Sequence, residues 1–502
     1  MSKSRNNMRE NQGPTRSSRR KKGTVKSRRS RRAGIILADI QLFLTFVFSG
    51  LIYLLNVLPL KYFIGLVVIL LFFAGYSFLS QLTQKYRGLG KVVSIFMSIV
   101  LIFGSYYIIE AKSMLSSITG RETKIDDMSI IVLKDDMAET INDTINYTFG
   151  ISEVDDPDNT KEAVDSINKE LNTQIELKAF SDFDSLVDGL YEGDAGAIIL
   201  NEAYREQIQE THPEFNDKTR VLVNYEVKTE IVTQTDKGKK ITKEPFTVYI
   251  SGIDTDGDIS KSGRSDVNII ATINPTTKQV LLTNTPRDYY IPFPNTNGER
   301  DKLTHAANFG IDISMGALED LYGIDIDYYA RVNFTTLINL VDILGGVTAY
   351  SEYDFNAGGY SFHKGNNTLD GKQALAFSRE RKSLPGGDLQ RGKNQMEVIK
   401  GIANKALSPA ILKNYGSIMD SLSGSFETNM TSNDITSLVK MQMDDMAAWN
   451  IVTSNASGTP EMRNTYTYKR RKLSVVIPDE ESVFIATQKI KDTLSGGVVS
   501  QE

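Results

Sequence analysis

Two arginine–aspartate pairs recur along the chain, Arg264 and Asp266 in "SGRSDVNIIATI" and Arg287 and Asp288 in "TNTPRDYYIP". A third concentration of charge, "AFSRERKSLPGGDLQRGKNQ", adds Arg379, Arg381, Asp388, Arg391 and Gln395. The planar fork of arginine grips phosphate oxygens through paired hydrogen bonds, so several converging arginines suit a polyanion better than a single carboxylate. Carboxylates among them, with Asp254 as a further one, suit a hard cation such as Mg²⁺ that takes oxygen ligands and substrate phosphates. The same charges read equally well as a solvated, salt-bridged surface.

The surrounding elements decide whether these residues can meet. "FTVYISGID" (246–254) alternates as a strand ending at Asp254. "VNIIATI" and "QVLLTNT", separated by the turn signal "NPTTK", read as a hairpin. These strand ends carry Asp254, Arg264, Asp266, Arg287 and Asp288 toward one sheet edge. "SMGALEDLYG" and "FTTLINLVDILGG" have helical spacing, with "DYYARVN" between them as a strand. Helices layered on a sheet predict an α/β sandwich. Leu337, Leu340, Val341 and Leu344 read as ordinary helical core, with an apolar groove between sheet and helices as the competing reading. Arg379 and Arg381, two apart, would share a face of a strand. Asp388, Arg391 and Gln395 lie at i, i+3 and i+7, one face of a helix.

Smaller signals carry less. His305 in "KLTHAANFG" stands near Lys302, where the pair would polarise a phosphate, although a lone histidine here reads better as a structural hydrogen-bonder. "DTDGD" (254–258) lacks the acidic twelfth residue of a calcium loop, that position being Ser265, which excludes an EF-hand. The chain has no cysteine and three histidines, His212, His305 and His363. Disulfides, thiolate zinc sites and cysteine nucleophiles are thereby excluded, and a histidine metal cage is disfavoured.

The net charge of −5 is unevenly spread: residues 1–32 carry thirteen Lys and Arg against one Glu, a local +12 that leaves −17 for the rest. Three apolar stretches follow at 34–57, 62–80 and 92–110, each near the ~20 residues needed to cross a bilayer. The basic tail (1–33), together with Lys85, Arg87 and Lys91 between the second and third stretches, predicts a cytoplasmic N-terminus and an extracytoplasmic region from about 111 onward. A large outer region without cysteine suits a Gram-positive type of surface. The tail's charge would also attract nucleic acid, which makes a membrane-bound regulator of transcription the competing class; topogenic or lipid-binding charge outweighs it.

Between 111 and 240 strand and helix signals alternate: "MSIIVL", "TKEAVDSINKEL" with Ala163, Ile167 and Leu171 on one stripe, "TQIELKAF", "FDSLVDGLYEG" and "AGAIIL". This predicts a small α/β accessory domain without a phosphate loop or catalytic cluster. The polar segment 232–244 reads as its link to a larger domain at 241–502. "YKRRKLSVVIPDEESVFIATQKI" reads as a basic turn, a strand and a last helix that complete that larger domain.

From about 246 to 490 the chain resembles the LytR-CpsA-Psr family of cell-wall glycopolymer transferases. The resemblance is carried by "GRSDVNII", "NTPRDYYI", "DKLTHAANFGI", "YYARVNF", "VDILGGVTAY", "LDGKQALAFSRER" and "DLQRGKNQ", in this order. It implies transfer of a capsular polysaccharide or related glycopolymer from an undecaprenyl-pyrophosphate carrier to peptidoglycan, assisted by Mg²⁺ or Mn²⁺, with pyrophosphatase activity on the side. It also implies a pyrophosphate pocket of Arg264, Arg287, Arg379, Arg381, Arg391 and Gln395, with Lys302 alongside. Asp254 and Asp266 would lie on the metal side, and Asp266, Arg287, Arg379 and Arg381 would carry the chemistry. Where many members have Arg-Gln at the end of the last motif, this chain has Asn394-Gln395, so one phosphate contact would be weaker or be supplied by Lys393.

Overall fold

The computed structural model describes residues 16–83, 85–118, 122–155, 157–231, 238–253, 259, 263–408 and 426–501. The chain divides into two compact units, Met1–Lys112 and Ser113–Glu502. In the first, the helices at Arg28–Leu55, Leu60–Ser80 and Arg87–Ser113 are long and apolar enough to cross a membrane. Their packing is inverted relative to a soluble bundle. Phe43, Phe72 and Phe103 point outward while Gln41, Ser77, Gln81 and Ser94 are buried, and Ser94 Oγ donates to the Leu37 carbonyl at 2.7 Å. Small and polar contacts between apolar helices are what lipid surroundings favour.

The second unit holds two mixed sheets. The first has the spatial order Glu176–Phe180, Thr148–Ser152, Ala197–Asn201, Glu122–Leu133, Thr219–Ile231. Successive residues of its central strands face opposite ways. Ile130 and Ile199 pack with Ala163, Ile167 and Leu171 of helix Pro157–Leu171, while Ile131 and Ile198 pack with Leu186 and Leu190 of helix Phe183–Glu192. Two of its strands differ from the sequence reading, which has no strand at Thr148–Ser152 or Thr219–Ile231. The former is short, whereas the latter carries a readable period-two signal, with Val221, Val223, Tyr225 and Val227 alternating against Asn224, Glu226 and Lys228.

The second sheet runs Phe426–Thr428, Tyr328–Val332, Phe246–Ile253, Ser265–Asn274, Gln279–Asn284, Asn450–Asn455. The expected hairpin is present, with Asn274 opposite Gln279. Tyr249, Ile270 and Leu281 face helices Ile311–Tyr322 and Glu480–Leu494, while Ile269, Ala271 and Leu282 face Met396 of helix Asp388–Ala406. Helices on both faces make the α/β sandwich. A further layer around Val341, Val347, Phe355 and Phe377 supports helices Phe334–Ile343 and Gly371–Arg379.

Two expectations require correction. Arg379 ends helix Gly371–Arg379 and Arg381 follows it in a loop, so they do not share a strand face. Asp370 caps that helix by accepting from the Gln373 amide at 2.8 Å, and Ala374 and Phe377 bury one side of it. The C-terminal basic turn also reaches beyond the second sheet: Tyr468 and Leu473 are buried in the core of the first sheet, beside Phe183 and Tyr204.

Candidate active site

Between the second sheet and helices Phe334–Ile343, Gly371–Arg379 and Asp388–Ala406 lies a cavity of about 530 Å³. Its walls are apolar: Ile250, Val267 and Val332 come from the sheet, and Leu337, Leu340 and Ile399 from the helices. The helical leucines thus divide. Val341 and Leu344 are buried core, whereas Leu337 and Leu340 stay partly open to the cavity. One end is charged instead, being lined by Arg264, Asp266, Arg287, Arg379, Arg381, Arg391 and Gln395.

Strand geometry explains the convergence. Arg264 and Asp266 flank the start of strand Ser265–Asn274, and Arg287 lies just past the end of its antiparallel neighbour, so both pairs emerge at one sheet edge. Helix Asp388–Ala406 brings Arg391 and Gln395 to the same place. It can approach because residue 392 is glycine: a Cβ there would meet Asn284 Nδ2 at 2.3 Å. Arg379 lies over the Phe334 ring, its guanidinium carbon 4.3 Å from the centroid, while Arg381 is exposed.

Arg287 Nη1 donates to both carboxylate oxygens of Asp266, at 2.8 and 2.9 Å. Its Nε–H is buried without a hydrogen-bond partner; the carboxylates of Asp288 and Asp388 stand 3.8 and 3.9 Å away. Arg391 pairs with Asp388. Burial alone would raise the Asp266 pKa, but the charges of Arg287 and Arg391 outweigh it and hold the carboxyl below its usual range. Burial likewise disfavours the Arg287 cation, and Asp266 and Asp288 more than restore it, raising its pKa. For Arg391, burial together with the nearby cations Arg287 and Arg381 prevails over the attraction of Asp388, and its pKa is lowered. A crowd of cations that already repel one another is a site prepared for an anion.

Several expected residues stand elsewhere. Lys302 does not line the cavity; its ammonium is 2.9 Å from Glu210 and 3.7 Å from Asp288. His305 is fully buried in helix Leu303–Phe309, its Nδ1 2.7 Å from Asp301, consistent with a structural hydrogen-bonder. Lys393 does not replace a phosphate contact: it pairs with Glu352 at 3.0 Å and lines a different, polar cleft. Asn394 is buried and donates to the Phe377 carbonyl. Asp254 and the run 254–258 lie outside the described residues.

Sequence reasoning missed two carboxylates. Glu206, on the short helix Arg205–Gln209, and Glu210 just after it come from the accessory fold, line the charged end and pair with Arg264. In "YREQIQE" they are one helical repeat apart, the ordinary pattern of a solvated face. Nothing local ties them to Arg264.

Among the described residues no three acidic or histidine side chains form a ready metal cage. Asp266 at the charged end offers oxygen donors of the kind a hard cation such as Mg²⁺ would take, the rest of its ligands coming from phosphate and water.

The model of the LytR_cpsA_psr family matches residues 210–477. A polyisoprenyl-teichoic acid–peptidoglycan teichoic acid transferase, TagU, of Enterococcus faecalis is 36% identical over 257 residues, covering 50% of this chain and 81% of that protein. The TagU of Bacillus licheniformis is 33% identical over 255 residues, covering 50% and 79%. The crystal structure of B. subtilis TagU aligns at 30% identity with a TM-score of 0.40, over 51% of this chain and 100% of that one. With its family domain matched over more than half its length, behind three helices that support a membrane location, the chain belongs to the LytR-CpsA-Psr family.

Proposed function

We propose that this chain is a membrane-anchored transferase that moves a glycopolymer from a polyprenyl-pyrophosphate carrier to peptidoglycan. The observation that carries this is the two-ended cavity, apolar along its walls and gathering five arginines at one end. An amphiphile with a diphosphate head and a hydrocarbon tail has this distribution of chemistry. The relatives named as transferases of a polyisoprenyl-linked polymer to peptidoglycan supply the reaction class. An undecaprenyl carrier and a capsular glycan are the specific donor we infer.

In the proposed step, an acceptor hydroxyl attacks the phosphorus nearer the glycan. A P–O bond forms to the acceptor, the bridging P–O bond breaks, and polyprenyl phosphate leaves with the bridging oxygen. Arg287 and Arg391, held rigid by Asp266 and Asp388, face the charge that grows on the leaving phosphate. One preorganised donor of this kind is typically worth ~3 kcal/mol, about a hundredfold in rate. Asp266 lines the charged end beside Arg287, and in this reading it orients the acceptor or accepts its proton. Asp266, with Asp254, would also hold Mg²⁺ or Mn²⁺, which supplies positive charge to the phosphate oxygens when bound. Water in the acceptor's place gives pyrophosphatase activity.

We further propose the orientation with residues 1–33 cytoplasmic and the region after about 111 extracytoplasmic. The functional test uses the full-length protein in lipid nanodiscs with a lipid-linked pyrophosphate glycan, peptidoglycan fragments and a Mg²⁺ titration. Metal-dependent release of polyprenyl phosphate, with glycan joined to the fragments, is expected. Release without joining, at every acceptor concentration, would overturn the transferase reading.

A further inference from the structure

Arg264 belongs to the larger domain, yet its partners come from the accessory one. Arg264 Nη1 donates to Glu210 Oε1 at 2.8 Å, and Nη2 donates to Glu206. The other oxygen of Glu210 accepts from Lys302 Nζ at 2.9 Å. Lys302 and Arg264 stand on separate segments of the larger domain, so Glu210 ties both to a residue of the accessory fold. Burial would raise the Glu210 pKa, but Lys302, His305 and Arg264 prevail and lower it, keeping the bridge charged.

We propose that the accessory domain is a working part of the donor site, and that Glu206 and Glu210 are positioning residues that hold Arg264 in place for the pyrophosphate. This rests on the donor-site reading above. The physical reason is like-charge crowding. The Arg264 side chain is 14% exposed and shares the charged end with Arg287, Arg379, Arg381 and Arg391. Without a ligand, repulsion would drive it outward unless an anion held it from behind. The two glutamates do this using two of its five N–H groups, which leaves the remainder for phosphate. The family match begins at Glu210, so Glu206 and the strands Glu122–Leu133 through Ala197–Asn201 precede it. Donor selection in this chain thus draws on a fold outside the matched domain.

The alternative for the same geometry is a brake, in which the carboxylates compete with the diphosphate for Arg264. The two give opposite signs in one experiment. Full-length wild type, Glu206→Gln, Glu210→Gln and Glu210→Asp are assayed in nanodiscs for steady-state transfer and for binding of a polyprenyl pyrophosphate. Glu206 is 60% exposed, so its amide variant keeps the fold testable. Positioning predicts a donor KM raised about tenfold in each Gln variant, with kcat changed less, because supporting-shell partners are typically worth about 10- to 100-fold. Glu210→Asp, which keeps the charge, should recover part of the loss. Unchanged or tighter donor binding in both Gln variants overturns the positioning role. Wild type that neither binds nor turns over the donor would instead indict the underlying donor-site reading.

Discussion

Both oxygens of Asp266 accept from a single nitrogen of Arg287, Nη1, and the Nε–H of the same guanidinium is left buried without a partner. The carboxylate thus fixes one corner of the fork and leaves another corner unused. A lysine at 287 keeps the charge but has neither the second corner nor the rigidity. Arg287→Lys is expected to lower transfer by about a hundredfold, with Arg287→Ala lower still. Arg379, stacked on Phe334 at the exposed end, should tolerate lysine better, losing about tenfold. Wild-type turnover in Arg287→Lys would show an ordinary ion pair and end the clamp reading.

Asp266→Asn removes the anionic oxygens while leaving the apolar walls intact. Activity should fall and require more Mg²⁺, whereas polyprenyl phosphate retained through purification, measured by mass spectrometry of an organic extract, should be near wild type. Equal Mg²⁺ dependence in variant and wild type would remove Asp266 from the metal side.

The carboxyls of Asp266, Glu210 and Asp301 are all held below their ordinary range, in each case by opposite charge outweighing burial. A depressed folded pKa gives stability that is present above the unfolded value, about pH 4, and is lost as pH falls through the lower folded value. The Tm should therefore be level between about pH 5 and 7 and drop below about pH 4, with Asp266→Asn showing a shallower drop. Scanning fluorimetry across this range checks the sign; a wild-type Tm that rises on acidification would reverse it.

Leu340 lines the cavity and is only half-buried. Leu340→Trp should occupy space meant for the lipid tail. A loss of ~1.4 kcal/mol of tail binding is a tenfold drop in affinity, so retained polyprenyl phosphate should fall by about that factor with the fold preserved. Undiminished lipid in a folded variant would mean that the tail lies elsewhere.

The Tyr468 ring fills the accessory core, 6.3 Å from Phe183, with its hydroxyl buried on the side of Thr211. Tyr468→Phe should cost no more than about 1 kcal/mol, because it keeps the ring and the net worth of one hydrogen bond is of that size. Tyr468→Ala should cost ~3 to 5 kcal/mol, as large aromatic truncations do. Denaturant unfolding compares the two; similar losses would show that the hydroxyl, and not the ring, matters.

The sheet edge that gathers Arg264, Asp266 and Arg287 was legible because strand alternation and a turn signal fix register over short distances. The face of Asp388, Arg391 and Gln395 was legible because helical spacing does the same. Arg379 and Arg381 were misplaced since a spacing of two has no structural meaning until the local backbone is known: the helix capped at Asp370 ends at Arg379 and leaves Arg381 in a loop. Glu206 and Glu210 were invisible for another reason. The contact of Glu206 and Glu210 with Arg264 depends on how the two sheets of one compact unit come together, which no local pattern records, and the same holds for Tyr468 in a core otherwise assembled far earlier in the chain.

That placement of Tyr468 and Leu473 bears on synthesis. Chains emerge N-terminus first, so the accessory core stays open beside Phe183 and Tyr204 until Tyr468 and Leu473 have been made. An interrupted chain cannot finish that domain, and its exposed aromatic surface marks it for aggregation or proteolytic disposal.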